Sequence, residues 1–482
     1  MRLAGDFRYE QLASDIEARI RNGTYRPGER LPSLRRLHNQ LQWSVSTIHQ
    51  AYVRLESLGL VEARPKSGYY VSPGPWAGFR APTIRRVASA PQEVELSAMV
   101  KAVVAAINDP ALLPLGSSTT SPDLLPYRHF ARIIKSLSAS DLKGLTPYAL
   151  TEGSRELRRQ IAQRTMGLVG RVEPEDVVVT NGCLEAVSLC LLAVVRPGET
   201  VVLESPTFFA FLQLLKELGV LVIEAPTDPE TGIDVGELAR LIGRHRVKAC
   251  LLAPNFQNPL GALMPDDNKE ELVDLLGRHE IPLIEDDISA ELFFEGGRPR
   301  PAKAFDKKGL VMTCSSFSKT LAPGLRVGWV LPGPRFKERI LNLKAGLSVS
   351  SSSLGQALAA RYLSSGAFER HIRTLRDRIK KQTMQTALAI RKYFPGDVRL
   401  ALPRGGALLW LELNEKVDGL EVYRRAFEEK ISILPGGACS GSGNYNNCIR
   451  LGCGFPFTAE TEKGIATLGD IVGDIYARVG AV

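Results

Sequence analysis

A lysine sits among hydroxyls, with an arginine seven residues on, in Ser316-Phe317-Ser318-Lys319-Thr320-Leu321-Ala322-Pro323-Gly324-Leu325-Arg326. A lysine amine freed of its proton attacks carbonyls, and hydroxyls with a guanidinium suit a phosphate. The run could therefore hold a phosphorylated aldehyde covalently. Four other polar clusters precede it. Asn181-Gly182-Cys183-Leu184 opens a helical pattern, where backbone N–H groups and the helix dipole could hold a phosphate. Glu204-Ser205-Pro206-Thr207-Phe208 offers an aromatic face that could stack on a ring. Asn255-Phe256-Gln257-Asn258-Pro259-Leu260-Gly261 is a turn that would present Asn258 inward. Glu285-Asp286-Asp287 supplies carboxylates. Taken singly, each has an ordinary reading: a glycine before a helix, a core phenylalanine, a turn, an acidic loop.

Each cluster follows a short apolar run that reads as a strand: 177–180, 200–204, 249–253 and 281–285. Amphipathic segments 184–195 and 269–279 separate them. This alternation predicts a mainly parallel sheet covered by helices, with ligands at the carboxyl ends of the strands. Residues 355–482 hold a long charged helix (368–393), a strand candidate at 407–413 and a final helix, hence a smaller α+β lobe.

The first 72 residues differ in kind. Leu12, Ile16 and Ile20 share one helical face, and Gly23 to Gly28 break it. Ser33 suits the N-cap of a second helix, and a third starts near Ser44 with Ile48, Tyr52, Leu55 and Leu58 inward. Its outward face would hold Ser46, Thr47, His49, Gln50 and Arg54. Two short strands then flank Pro65-Lys66-Ser67-Gly68. The pattern is a winged helix-turn-helix, whose third helix would enter a major groove while the wing tracks a backbone. Eleven Lys/Arg against seven Asp/Glu give this stretch +4, which suits phosphates. Arg35, Ser44, Ser46, Thr47, His49, Gln50, Lys66, Ser67 and Gly68 are the candidate DNA contacts, and double-stranded DNA the expected partner.

At 482 residues, two or three domains are expected. We divide the chain into a head at 1–72, a linker at 73–93 and a body at 94–482, with lobes at about 110–355 and 356–482. Between head and body, Pro, Gly and Arg without apolar periodicity mark the linker, whose arginines read as solvated; regular structure should resume near Val94. Seven scattered cysteines with no C-x-x-C pair read as reduced structural thiols, with no metal site expected. No stretch approaches ~20 uninterrupted apolar residues and the N-terminus has no apolar signal core, so no membrane segment and a cytoplasmic location are expected. The net charge of +9 permits a polyanionic partner without requiring one.

Leu31-Pro32-Ser33-Leu34-Arg35, Ser44-x-Ser46-Thr47, Leu55-Glu56-x-Leu58-Gly59-Leu60-Val61 and Ser67-Gly68-Tyr69-Tyr70-Val71 resemble the GntR family of bacterial repressors. There the arginine matching Arg35 contacts the DNA backbone; Val45 stands where a second arginine is usual. The five downstream clusters, in their order, resemble fold-type I pyridoxal phosphate enzymes of the aminotransferase group. Together the two halves resemble the MocR subfamily of transcription regulators over nearly the whole chain.

This resemblance implies pyridoxal 5'-phosphate as cofactor. Lys319 would form the internal aldimine and Asp286 would pair with the ring nitrogen. Asn258 would donate to the phenolic oxygen and Phe208 would stack on the ring. Ser316, Ser318 and Arg326, with the Gly182 and Cys183 amides, would hold the phosphate. Arg450 matches the arginine that binds a substrate α-carboxylate. Tyr148, in Tyr148-x-x-x-x-Gly153-x-x-x-Leu157-Arg158, matches the tyrosine that reaches the partner subunit's phosphate, implying a homodimer.

One departure matters. Family members usually carry a tyrosine two or three residues after the ring-binding aspartate; here Ile288 and Ser289 stand there. Loss of that donor should weaken stabilisation of the phenolate, so slow or vestigial transamination is expected. The expected function is a DNA-binding regulator that senses an amine or amino-acid effector, or the cofactor itself. The alternative is an active aminotransferase with a secondary head. A body that no longer binds cofactor conflicts with retention of Lys319, Asp286, Asn258 and Arg326 together.

Overall fold

In the computed structural model, residues 8–21, 24–64, 67–72, 79–85, 87, 90–94 and 109–480 are described. Lys66 and the stretch just beyond Val94 lie outside them. The head is built of α1 (Arg8–Arg21), α2 (Leu34–Leu41), α3 (Val45–Ser57) and the hairpin β1 (Val61–Arg64) and β2 (Gly68–Val71). Ser33 caps α2, accepting from the Arg36 amide at 3.2 Å, and Ser44 caps α3, accepting from the Thr47 amide at 3.1 Å. Ile48, Tyr52, Leu55 and Leu58 all point into the head's core. Tyr52 stacks on Tyr69 of the hairpin at 4.7 Å and donates to the Pro32 carbonyl at 2.6 Å, so one side chain ties all three parts together.

The body carries β3 (Val178–Thr180), β4 (Thr200–Ser205), β5 (Leu221–Asp228), β6 (Gly232–Ile233), β7 (Val247–Leu252), β8 (Leu283–Asp286), β9 (Val311–Ser316) and β10 (Gly328–Leu331). They form one sheet in the order β3-β10-β9-β8-β7-β4-β5-β6. The central strands β9, β8, β7, β4 and β5 are parallel, while β10 and β6 run against their neighbours. β4 is buried along its whole length, as helix-covered parallel strands require. The four expected strands are present as β3, β4, β7 and β8. A second, antiparallel sheet of β11 (Arg399–Leu400), β12 (Leu408–Glu412), β13 (Leu434–Pro435) and β14 (Cys448–Gly452) has the order β11-β12-β14-β13 and forms the smaller lobe.

The long helix spans Ala367–Tyr393. One face, with Ile372, Leu375, Ile379 and Ile390, is buried in the body. Another receives the head: Met384 belongs to the head's apolar cluster, Arg54 meets Asp377 at 2.9 Å, and Lys380 meets Glu17 at 2.8 Å. Among the described linker arginines, the Arg80 side chain is exposed while Arg85 departs from the solvated reading. Arg85 reaches Asn447 and lies 5.1 Å over the Tyr445 ring, Thr83 bonds Glu412, and Arg80 offers its carbonyl to Leu400. Gln92 then bridges to Val222 of β5. A guanidinium between a carboxamide and an aromatic face gains more than one left in water. No described helix is long and apolar enough to cross a membrane. The seven cysteines are all free and buried, and no described group of three or more His, Cys, Asp or Glu side chains could hold a metal ion.

Candidate functional site

The strand ends β3, β4, β7, β8 and β9 converge on a cavity of about 250 Å³ between the two lobes. Of the residues singled out from sequence, Lys319, Asp286, Asn258, Ser318, Arg326, Cys183 and Phe208 line it. Ser316 lies behind them, its hydroxyl accepting from the Ser318 amide at 3.2 Å. Gly182 caps the helix Cys183–Val194 with φ +93°. A Cβ there would lie 2.6 Å from Nη2 of Arg326, and one on Gly328 of β10 would lie 2.4 Å from the Gly182 carbonyl carbon. Two glycines thus let a helix N-terminus, a strand and a guanidinium meet. Arg326 donates to the Asn181 carbonyl at 2.7 Å, beside that N-terminus.

Asp286 ends β8. Its Oδ1 accepts from the Cys183 thiol at 3.3 Å and from the Ile288 amide at 3.1 Å. Burial raises its pKa to about 6, against the lowering effect of those two donors. The neighbouring acids are not a solvated loop. Asp287 accepts from Asn255 at 2.8 Å and Arg298 at 3.1 Å, and Glu285 from Thr313 at 2.8 Å, so both are structural. Glu204, at the end of β4, is pushed up to about 8 by burial.

Lys319 donates to the Ser118 carbonyl at 2.7 Å. Burial first, and then the charge of Arg450, lower its pKa from 10.5 to about 8. Both effects disfavour the ammonium form, so the amine is primed as a nucleophile. Arg450, on β14 and 1% exposed, donates to Asn258 Oδ1 at 2.9 Å and to the Gly116 carbonyl at 2.7 Å. Its Nε is buried with no hydrogen-bond partner among the described residues. The bond from Arg450 leaves the Asn258 amide nitrogen as the donor toward the cavity.

Sequence reading missed the segment Gly116-Ser117-Ser118-Thr119-Thr120, which presents Ser118 to Lys319 and Thr120 to the Lys319 carbonyl at 2.8 Å. Its run of hydroxyls was the available signal. It also missed Ala407 and Leu408 at the start of β12, and Phe211, Phe256 and Leu292, which make the cavity wall largely apolar. Ile288 and Ser289, where the family's tyrosine would stand, line the cavity too. Tyr148 does not. It is 85% exposed, with Leu150 and Leu347 exposed at 61% and 66%.

In the head, Arg35, Ser44, Ser46, His49 and Gln50 are exposed and Thr47 is half-buried. The Ser44 hydroxyl is engaged as the α3 cap and with Ser46 and Thr47 at 2.9 and 2.7 Å. Ser67 meets the Tyr70 hydroxyl at 2.6 Å, and Gly68 has φ +115° where the wing turns back.

The donor set fits pyridoxal 5'-phosphate: a primed amine, a buried carboxylate, an amide donor, and a helix N-terminus with hydroxyls and a guanidinium. Residues 116–463 match the family "Aminotransferase class I and II", whose proteins depend on this cofactor, and residues 8–71 match "Bacterial regulatory proteins, gntR family". The chain is 38% identical over 469 residues to the uncharacterized HTH-type transcriptional regulator YjiR of Escherichia coli, covering 96% of this chain and 98% of that one. It is 29% identical to 2-aminoadipate transaminase of Thermus thermophilus, over 77% of this chain and 92% of the other. Among solved structures, the Pyrococcus horikoshii kynurenine aminotransferase superposes with a TM-score of 0.74 at 26% identity, over 79% of this chain and 95% of that one. The chain therefore belongs to the class I and II aminotransferase family through its body and carries a gntR-family head, a MocR-like architecture.

Proposed function

We propose that the protein is a DNA-binding transcription regulator, acting in the cytoplasm, whose body holds pyridoxal phosphate covalently on Lys319 and senses an amine or amino acid, or the cofactor itself. When bound, the cofactor supplies an electrophilic carbon and an electron-withdrawing ring. Asp286 would set its carboxylate against that ring and Asn258 would offer its amide donor. Arg450 suits a carboxylate of the effector, and Arg326 with the Gly182–Cys183 amides suits the phosphate. The units remain the head at 1–72, the linker at 73–93 and the body at 94–482.

One observation carries the coupling of sensing to DNA. The helix Ala367–Tyr393 touches both the lysine loop and the head. Near its start, His371 Nε2 lies 2.7 Å from the carbonyl of Thr320, the residue after Lys319. Arg376 holds Glu291, three residues beyond Ile288 of the cavity wall, at 2.9 Å. The next residue, Asp377, holds Arg54 of α3. A shift of the lysine loop or small lobe on ligand binding would be felt at the head through one rigid element. The exposed apolar surface around Tyr148 and Leu347 suits a second copy of the chain, which would bring Tyr148 to the partner's cofactor phosphate.

Visible spectra of the full-length protein with added cofactor, beside Lys319→Ala, followed by titration with candidate amines and DNA-binding anisotropy, test this reading. It expects a lysine-dependent band, a shift with one amine and a matching change in DNA affinity. A band that shifts with no effect on DNA binding would refute the coupling. Turnover is the second reading, favoured by the intact Arg450–Asn258 pair. Rapid single-turnover transamination of a natural amino acid, despite Ile288 and Ser289, would support it.

A further inference from the structure

The helix Ala367–Tyr393 carries eight Lys/Arg against two acids. Both acids are paired within the molecule, Glu369 with Arg164 at 2.5 Å and Asp377 with Arg54 at 2.9 Å. Among its exposed cations, four, Arg370, Arg373, Arg378 and Lys381, have no acidic partner among the described residues, whereas Lys392 pairs with Glu462. Their placement is not random. At about 100° per residue, Asp377, Lys380, Met384 and Leu388 share one face of the helix, and the head docks there. Arg373 and Arg370 lie on that same face, roughly one and two turns before Asp377, or about 6 and 10 Å along the axis. Lys381 and Arg378 flank it.

Arg54 meets this face from the edge of α3's exposed side. Ser46, His49, Gln50 and Val53 occupy the centre of that side, and Arg54 lies about 80° round from Ser46. The body helix therefore flanks the DNA-facing side of α3 instead of lying behind it. Where the head's footprint ends, the face it occupies continues as unpaired guanidinium groups.

We propose that this stripe is a second DNA-contacting surface: Arg370 and Arg373, with Arg378 and Lys381 beside them, bind backbone phosphates flanking the stretch read by the head. The proposal rests on the head's being a DNA-binding module. Its contacts would be sequence-independent and would add to affinity through counterion release. Fixing the head against this surface would also bind the body to the DNA path, so a change in docking would alter how much DNA is held.

The test uses full-length, cofactor-loaded protein and two labelled mixed-sequence duplexes, one of about 12 bp, roughly one helical turn, and one of about 60 bp. Anisotropy gives the slope of log Kobs against log salt. Arg370→Gln/Arg373→Gln should reduce the slope on the long duplex by about 2 per engaged protomer, at about 0.9 per lost phosphate contact, and leave the short one unchanged. Arg35→Ala, in the head, should weaken both. An unchanged slope on the long duplex, with the Arg35→Ala effect intact, would overturn the proposal and leave the head as the only DNA surface. An equal loss on both lengths would overturn it too. If the unaltered protein binds neither duplex, the head's DNA-binding role falls with it. The visible cofactor band and the melting temperature of the double variant should match the parent, because both arginines are exposed.

Discussion

The proposed role of Lys319 as nucleophile can be tested through its proton. A lysine amine at its ordinary 10.5 is free in about 0.03% of molecules at pH 7; one at about 8 is free in roughly 9%, a gain of about 300-fold. Burial is the larger cause and the Arg450 charge the second. The perturbation is therefore pH, followed by Arg450→Gln. Cofactor-free full-length protein would be mixed with pyridoxal phosphate in a stopped-flow cell, and the initial growth of the visible band recorded from about pH 6 to 10. The rate should climb nearly tenfold per pH unit and level near pH 8. Removing the neighbouring positive charge favours the ammonium form, so Arg450→Gln should move the plateau to higher pH and slow the reaction at pH 7. Lys319→Ala should abolish the band. A rate still climbing tenfold per unit at pH 10, or an Arg450→Gln profile that stays in place, would refute the assignment of the lowered pKa to these two causes.

Three further predictions concern what supports the site. Cys183→Ala removes a donor that holds Asp286 down, so the acid-side midpoint of cofactor binding should rise by up to about one pH unit; a downward shift would contradict the bond to Asp286. Gly452→Ala would set a Cβ 1.7 Å from the Ser117 carbonyl oxygen, displacing the segment that presents Ser118 to Lys319; cofactor affinity measured by equilibrium dialysis should fall at least tenfold. Met384→Ala opens a cavity where head meets body. It should cost about 2–5 kcal/mol, seen in chemical denaturation as earlier loss of the head while the cofactor band persists; a single unchanged transition would argue against the docked head.

Much of this molecule was legible before folding was considered. Hydroxyls at helix starts, apolar residues every three or four positions and turn residues between them marked the head, because caps and one-sided burial are local demands. Strands β3, β4, β7 and β8 announced themselves as short apolar runs because both faces of a parallel sheet are buried. The polar clusters behind them followed from chain direction: parallel strands deliver their carboxyl ends to one edge. Their place beyond strand ends put Lys319, Asp286, Asn258 and Arg326 at one edge of the sheet, and the resemblance to aminotransferases gave them their expected roles.

Other features depend on contacts between residues far apart in the chain, and no local pattern encodes them. Ser118 meets Lys319 across 201 positions, and only because Gly452 leaves room for its backbone. Arg450 orients Asn258 from the other lobe, and its charge reaches Lys319 only when water is excluded between them. Arg85 looked like a solvated linker residue until the small lobe supplied Asn447 and Tyr445. Composition marked the helix Ala367–Tyr393 as long and charged. Only packing decided that one face would be core, a second would carry the head, and the continuation of that second face would leave arginines unpaired. Sequence determined which chemistry the chain could do, since side-chain type and local periodicity are written in it. Tertiary structure decided which groups lose water and which face one another, and those two facts set the pKa values and the path from the lysine loop to the head.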